Sequence, residues 1–320
     1  MIMATWKTTA DVLMTNLQID QAGPIDVSNL LDASPTVGAL FARSRQGQQF
    51  RWTQKTGAPT VGFRAANVGI QQSNAVRRSI LCQSSYLDCS TKVDTSVADS
   101  DELGATHTIS MDIEDHLTAG FFHAEQQIYQ GTGSDAGGFP GFAQTVDDTT
   151  HPMCLSAGGS GGNLSSVWFI RTGDEKHVGL IWGGNGEIKF GQTIVQAIYD
   201  GEGGYYNAYC TSVEAWVGLQ IPSLYDLGRL ANVDDNVYSL TDKMINKCVQ
   251  DLFPAGRKPN LVAMSRRSLG QLQNSRTPVM FTAGGQYDVV GPVPTTVCGG
   301  IPIIVTDAIT NTESTLAVTA

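Results

Sequence analysis

The hydrophobic positions of this chain change period along its length, and each change marks an element. Ile113, Leu117, Phe121, Ala124 and Ile128 recur at steps of three and four, which stacks them on one face of a helix. That spacing predicts a helix over Met111–Gln130, a strut about 30 Å long. Ser110 stands at the N-cap, and Asp112 and Glu114 fall in the first turn, where the helix dipole favours anions. Gly131 supplies the stop. A second amphipathic helix is expected over Thr241–Phe253, with Ile245, Cys248 and Leu252 on one face and Pro254 as terminator.

Elsewhere the pattern is that of extended chain. Residues Gln48 to Lys55 alternate and break at Gly57-Ala58-Pro59, and a second extended run goes from Val76 to Val97. Two long strands with a loop between them predict a protruding β-ribbon, with too little apolar surface to stand alone. Short strands are expected at Val167–Ile170, Val178–Trp182, Thr193–Tyr199 and Val213–Leu219, separated by glycine-rich turns. A strand at Leu261–Met264, a short helix capped by Ser265, and closing strands around Val289-Val290 and Ile303–Val305 complete the chain. The first 45 residues read as an arm lying on something else. Strands and helices alternate irregularly, so the expected class is α+β and not a doubly wound sheet.

Composition narrows the function. The 320 residues are 41% apolar and only 16% charged, with 35 glycines, which is globular and turn-rich. A net charge of −10 argues against binding duplex DNA, which needs a concentrated positive face. No signal peptide or membrane span is expected from the sequence. Cys82, Cys89, Cys154, Cys210, Cys248 and Cys298 form no CxxC pair and read as reduced, buried thiols.

Charge is segregated more sharply than the total suggests. From Ala33 to Leu87 there is no acidic residue, while Arg43, Arg45, Arg51, Lys55, Arg64, Arg77 and Arg78 are positive. Between Thr91 and Gln130, Asp94, Asp99, Asp101, Glu102, Asp112, Glu114, Asp115 and Glu125 oppose only Lys92. Such blocks attract between molecules as well as within one.

Candidate chemistry is thin. Gly131-Thr132-Gly133-Ser134-Asp135-Ala136 matches a dinucleotide-loop pattern, but a helix precedes it where a strand is required. Gly158-Gly159-Ser160-Gly161-Gly162 matches a nucleophile elbow without the strand-turn-helix that exposes the serine. His116 and His123 lie seven apart on the long helix, too few ligands for a metal site. No catalytic, cofactor-binding or metal residue is therefore assigned. The enzymatic alternative is a glycine-rich hydrolase using Ser160 with His151 or His177 as base.

The order of features carries more than any motif. A basic ribbon precedes an acidic helix that ends in Gly131-Thr132-Gly133 and runs on through Gly137-Gly138-Phe139-Pro140-Gly141-Phe142. Later come Asn260-Leu261-Val262-Ala263-Met264-Ser265 and Gly300-Ile301-Pro302-Ile303-Ile304-Val305-Thr306-Asp307. This ordered set, from about residue 40 onward, resembles the major capsid proteins of tailed bacteriophages with the Hong Kong 97-like fold. The resemblance implies an N-terminal arm over 1–45, an extended loop over 46–98, and a peripheral domain with a spine helix over 99–141. An axial domain with a β-rich insertion follows over 142–288, and closing strands over 289–320. It implies assembly with copies of itself as hexamers and pentamers around double-stranded DNA, no cofactor and no membrane. Portal and scaffolding proteins are the expected partners, with a decoration protein as a further one.

The expected inter-subunit surface sets Arg51, Lys55, Arg64, Arg77 and Arg78 against Asp112, Glu114, Asp115 and Glu125. Two departures from the family pattern matter. The chain ends at Ala320, soon after Ile303–Val305, so the peripheral domain is expected to be reduced or completed by the arm. The same short end removes the natural place for an asparagine partner of Lys55, so no autocatalytic cross-link is expected. A cargo-loading bacterial shell and a phage tail or decoration protein are the remaining alternatives.

Overall fold

The computed structural model describes residues 31–71, 73–148, 150–276, 280–283, 286–289 and 296–317. Its centre is a six-stranded mixed sheet, in the order Val297–Cys298, Ile301–Val305, Leu261–Met264, Ser165–Ile170, Leu227–Val233, Cys154–Ser156. Three adjacent strands, Leu261–Met264, Ser165–Ile170 and Leu227–Val233, are buried at every position. Full burial requires cover on both faces, and the two-residue period of a strand sorts the side chains between two cores. Val167, Phe169, Val262 and Met264 face one core with Ile245, Cys248, Leu252 and Leu272, from helices Asp242–Leu252 and Arg266–Ser275. Trp168, Ile170, Leu261 and Ala263 face the other, with Ile128, Tyr129 and Phe142.

A second sheet runs Phe41–Ser44, Gly179–Trp182, Val213–Gln220, Ser85–Asp88, with Lys189–Phe190 added beside Val213–Gln220. The long helix, Ala105–Gln130, belongs to the core shared by both sheets. Leu117 and Phe121 meet the second sheet, where Phe121 sets its ring edge-on to Trp182 at 5.9 Å. Near its C-terminal end Tyr129, Phe142 and Trp168 form an aromatic triad. A Cβ at Gly120 would overlap the Cys89 sulfur, so that glycine sets how closely helix and chain approach. A third sheet, Ile194–Tyr199, Tyr205–Thr211, Thr91–Asp94, stands beside the helix. The ribbon, Gln49–Gly57 with Val76–Gln83, is a sheet of its own, as is the pair Met280–Ala283 with Gln286–Val289.

The structure differs from the sequence expectations at identifiable points. The long helix has 26 residues and begins at Ala105, with Gly104 as N-cap at φ 91°. Ser110 is interior and donates to the Thr106 carbonyl at 2.8 Å, and no acidic residue lies in the first turn. The added turn hides from periodicity because none of residues 105–110 is buried. The run Val76–Val97 is divided among three sheets and a helical turn at Thr95–Ala98, because buried Ser84 and Cys89 redirect the chain. Several strands carried no sequence signal strong enough to predict, among them Cys154–Ser156, Tyr205–Thr211 and Leu227–Val233. Of the remaining expectations, the arm up to residue 30 and Val290 lie outside the described residues.

Candidate assembly surface

The ribbon is built as a cantilever. Its strands pair from Gln49↔Gln83 to Lys55↔Arg77, then shift by an irregularity before Gly57↔Val76. At the root, Phe50 and Cys82 pack on Ile181, and Cys82 Sγ donates to the Leu219 carbonyl at 2.9 Å. Burial pushes that thiol up to about 11. Arg43 and Arg45 stack over Trp52 at 5.2 and 5.7 Å. Arg43 also meets Glu175 at 3.5 Å, and burial, then the Arg45 charge, hold its pKa below the usual arginine value. Two of the seven expected cations therefore fasten the root. An open groove runs beside it, lined by Trp52, Arg78, Ile80, Phe139, Leu219 and Leu224 among others.

Beyond the root the ribbon is bare. Arg51, Arg64, Arg77 and Arg78 are exposed, Val61 is 85% exposed, and Phe63 is as open as in an extended peptide. The Lys55 side chain lies outside the described residues.

The acidic side divides into three. Asp94 and Asp101 serve local structure. Asp94 accepts from the Ser96 amide at 2.8 Å, and Asp101 accepts from the Leu103 amide and the Thr108 hydroxyl and bonds His107 Nδ1. These bonds, the His107 and Thr108 side chains foremost, hold the Asp101 carboxyl at about 2. Asp112 is half-buried and 3.6 Å from His116, Glu114 is half-buried, and Asp115 is exposed.

Glu125 corrects the sequence expectation, because it is fully buried. Its Oε1 accepts from the Thr36 amide at 3.0 Å, while Thr36 Oγ1 and Tyr129 Oη share a 2.7 Å bond. Together they clasp the short helix Pro35–Ala39 against the long one. Burial pushes the Glu125 carboxyl above the usual range. The signal was in the sequence. Position 125 lies four after Phe121 and three before Ile128, inside the apolar stripe.

The motif-like loops are structural. Gly131, at φ 56°, closes the long helix, and a Cβ there would strike Gln144 and the Gly141 amide. Gln144 Oε1 accepts from Gly141 N, its Nε2 donates to the Gln130 carbonyl, and Gln127 Nε2 donates to the Phe139 carbonyl at 2.7 Å. Glutamine side chains thus fill the loop where a pyrophosphate would lie. Ser160 is exposed, but His177 sets its ring nitrogens toward Asp226 at 3.1 Å and Asp174 at 3.7 Å. His151 Nδ1 accepts from the Met153 amide.

Sequence reasoning missed Arg229, which lies in the unpredicted strand Leu227–Val233. Its guanidinium donates to Ser166 Oγ at 2.9 Å, the Val146 carbonyl at 2.9 Å and Glu313 Oε2 at 3.0 Å, and stacks over Trp168. With Asn232, which bonds both the amide and the carbonyl of Leu316, it fastens the chain after residue 306 across the central sheet.

A two-core body with a long helix spanning it carries a charged ribbon that, among the described residues, is packed at its root. The structure is similar to a chain in the near-atomic structure of bacteriophage Epsilon15, at 19% identity and TM-score 0.61 over 99% of each chain. It is also similar to a chain of the bacteriophage JBD30 capsid, at 11% identity and TM-score 0.48 over 91% of this chain and 93% of that one. No curated protein matches it. The sequence profile described as major capsid protein GP7 matches residues 38–317, and the chain belongs to that family. It is a major capsid protein, a structural component of the virion. No helix among the described residues is long and apolar enough to cross a membrane.

Proposed function

We propose that this chain has the Hong Kong 97-like architecture and forms hexamers and pentamers around double-stranded DNA, the ribbon of each copy lying over a neighbour. The observation that carries this reading is the ribbon, whose root is packed and whose Arg51, Arg64, Arg77, Arg78 and Phe63 are exposed. Its cations, with Lys55, face Asp112, Glu114 and Asp115 of the next copy. Each exposed pair contributes about 0–1 kcal/mol, so the charges set orientation and rate. Burying Phe63 adds about 1.5–3 kcal/mol of holding energy.

In this reading residues 1–45 are the arm, 46–98 the extended loop, 99–141 the peripheral domain, 142–288 the axial domain and 289–320 the closing strands. Portal and scaffolding proteins take part in head formation, a decoration protein can bind outside, and the role is structural without catalysis. The test is the double charge reversal Arg77→Glu with Arg78→Glu, read by gradient sedimentation and thermal melting. Folded subunits that no longer form particles are expected. Particles of normal yield and shape would refute the ribbon contact.

A further inference from the structure

The hairpin Ile194–Tyr199 and Tyr205–Thr211 is not used by any contact proposed above. It is well formed. Thr193 and Thr211 share a side-chain bond at 2.8 Å at its base, and Asp200 accepts from the Glu202 and Gly204 amides at 2.8 and 2.9 Å at its turn. Tyr199 and Tyr205 stack at 5.3 Å beside that turn. The sheet order is Ile194–Tyr199, Tyr205–Thr211, Thr91–Asp94, so among the described residues the outer edge of Ile194–Tyr199 pairs with no strand. Five of its six residues are exposed, with side chains on both faces, Val195 at 56% and Tyr199 at 54% among them.

An exposed edge of this kind is a template for another strand, and proteins guard such edges with lysine, proline, a bulge or short length. Ile194-Val195-Gln196-Ala197-Ile198-Tyr199 has no charge and no proline, and its pairing with Tyr205–Thr211 is regular over all six residues. The ribbon strands, by contrast, carry Arg51, Lys55, Arg77 and Arg78, and one of them is irregular. An unguarded edge of this kind implies a strand that covers it.

We propose that this edge pairs antiparallel with the same edge of a second copy, about a two-fold axis through Ala197, joining two three-stranded sheets into one of six. Charge selects the orientation. The turn acids Asp200 and Glu202 of the two copies would lie side by side in a parallel pair. In an antiparallel pair they lie at opposite ends, about 20 Å apart along the strands. A two-fold axis perpendicular to the sheet pairs residues of equal parity. Centring on Ala197 sets Val195 against Tyr199 on one face, a β-branched–aromatic match of the kind that stabilises strand pairs, and Gln196 against Ile198 on the other. One strand pair buries far less than the roughly 1,200–2,000 Å² of a stable interface. The contact therefore forms in the shell, where other contacts support it, and not between free subunits.

The inference rests on the shell reading, and the test separates the two. Particles are prepared from the full chain carrying Ala197→Cys with Cys210→Ser, then oxidised and run on non-reducing gels. A dimer band from intact particles that is absent from dilute subunits is expected. Particles that form but give no dimer overturn the pairing and leave the shell reading standing. A band that requires a second cysteine in Val76–Gln83 overturns it in favour of the ribbon as occupant. As a second reading, Val195→Lys places a guard on the edge. It should leave the melting temperature unchanged and lower particle yield about tenfold, and full yield overturns the proposal.

Discussion

Replacing Arg229 with methionine probes the tie that holds the C-terminal segment over the central sheet. The guanidinium is buried, with a side chain only 6% exposed, and bonds Ser166, the Val146 carbonyl and Glu313. Methionine keeps most of the volume against Trp168 but removes every donor, leaving the largely buried Glu313 carboxylate without its cation. Removing one partner of a buried pair costs about 3–5 kcal/mol, because the remaining charge stays desolvated. Against a total stability of about 5–15 kcal/mol, that is a large fraction. At about 2–4 °C per kcal/mol for a chain of this size, the melting temperature should fall by about 6–20 °C. The assay is urea unfolding of the unassembled subunit, with Glu313→Gln and the double variant closing a cycle. A coupling energy above about 1 kcal/mol is expected. A loss below about 1 kcal/mol for Arg229→Met, with no coupling, would refute the assigned role.

Two further substitutions test the helix and its ends. Glu125 has a folded pKa raised by burial, so the folded state holds its proton more tightly than the unfolded state. Its unfavourable contribution is absent at low pH and grows as pH rises from the ordinary glutamate value through the raised one. The stability of Glu125→Gln relative to wild type should therefore increase with pH across that window, and a flat difference in unfolding free energy contradicts the assignment. Gly131→Ala forces a side chain into a left-handed residue with no room for a Cβ, and should cost about 1–3 kcal/mol or more by thermal melting. Gly133→Ala, with nothing near the new Cβ, is the control, and equal losses at the two sites would contradict the account.

The parts of this fold that were legible in the sequence are those where a side-chain period maps onto one buried face. Leu117, Phe121, Ala124 and Ile128 gave the long helix, and Val167–Ile170 and Leu261–Met264 gave the central strands, because a fully apolar run of that length between turns has few other readings. The strand Leu227–Val233 was illegible, since it carries Arg229 and Asn232 in a buried element. Those polar groups are satisfied by residues far away in the chain, at 146, 156, 166, 313 and 316, which no local pattern can reveal. The charge blocks were legible as composition but not as surface. Arg43 and Arg45 turned inward onto Trp52, and Glu125 inward onto Thr36, whereas Arg77, Arg78 and Asp115 stayed outside. Strand Tyr205–Thr211 escaped because its two buried residues, Ala208 and Thr211, are three apart and so leave no strand alternation to detect.

The most direct test of the central claim is to express the chain and image the product by negative-stain electron microscopy after gel filtration. Closed shells, or rings of five and six subunits, are the expected result. A folded chain that stays monomeric across concentration and salt, both alone and with its scaffolding protein added, would contradict it.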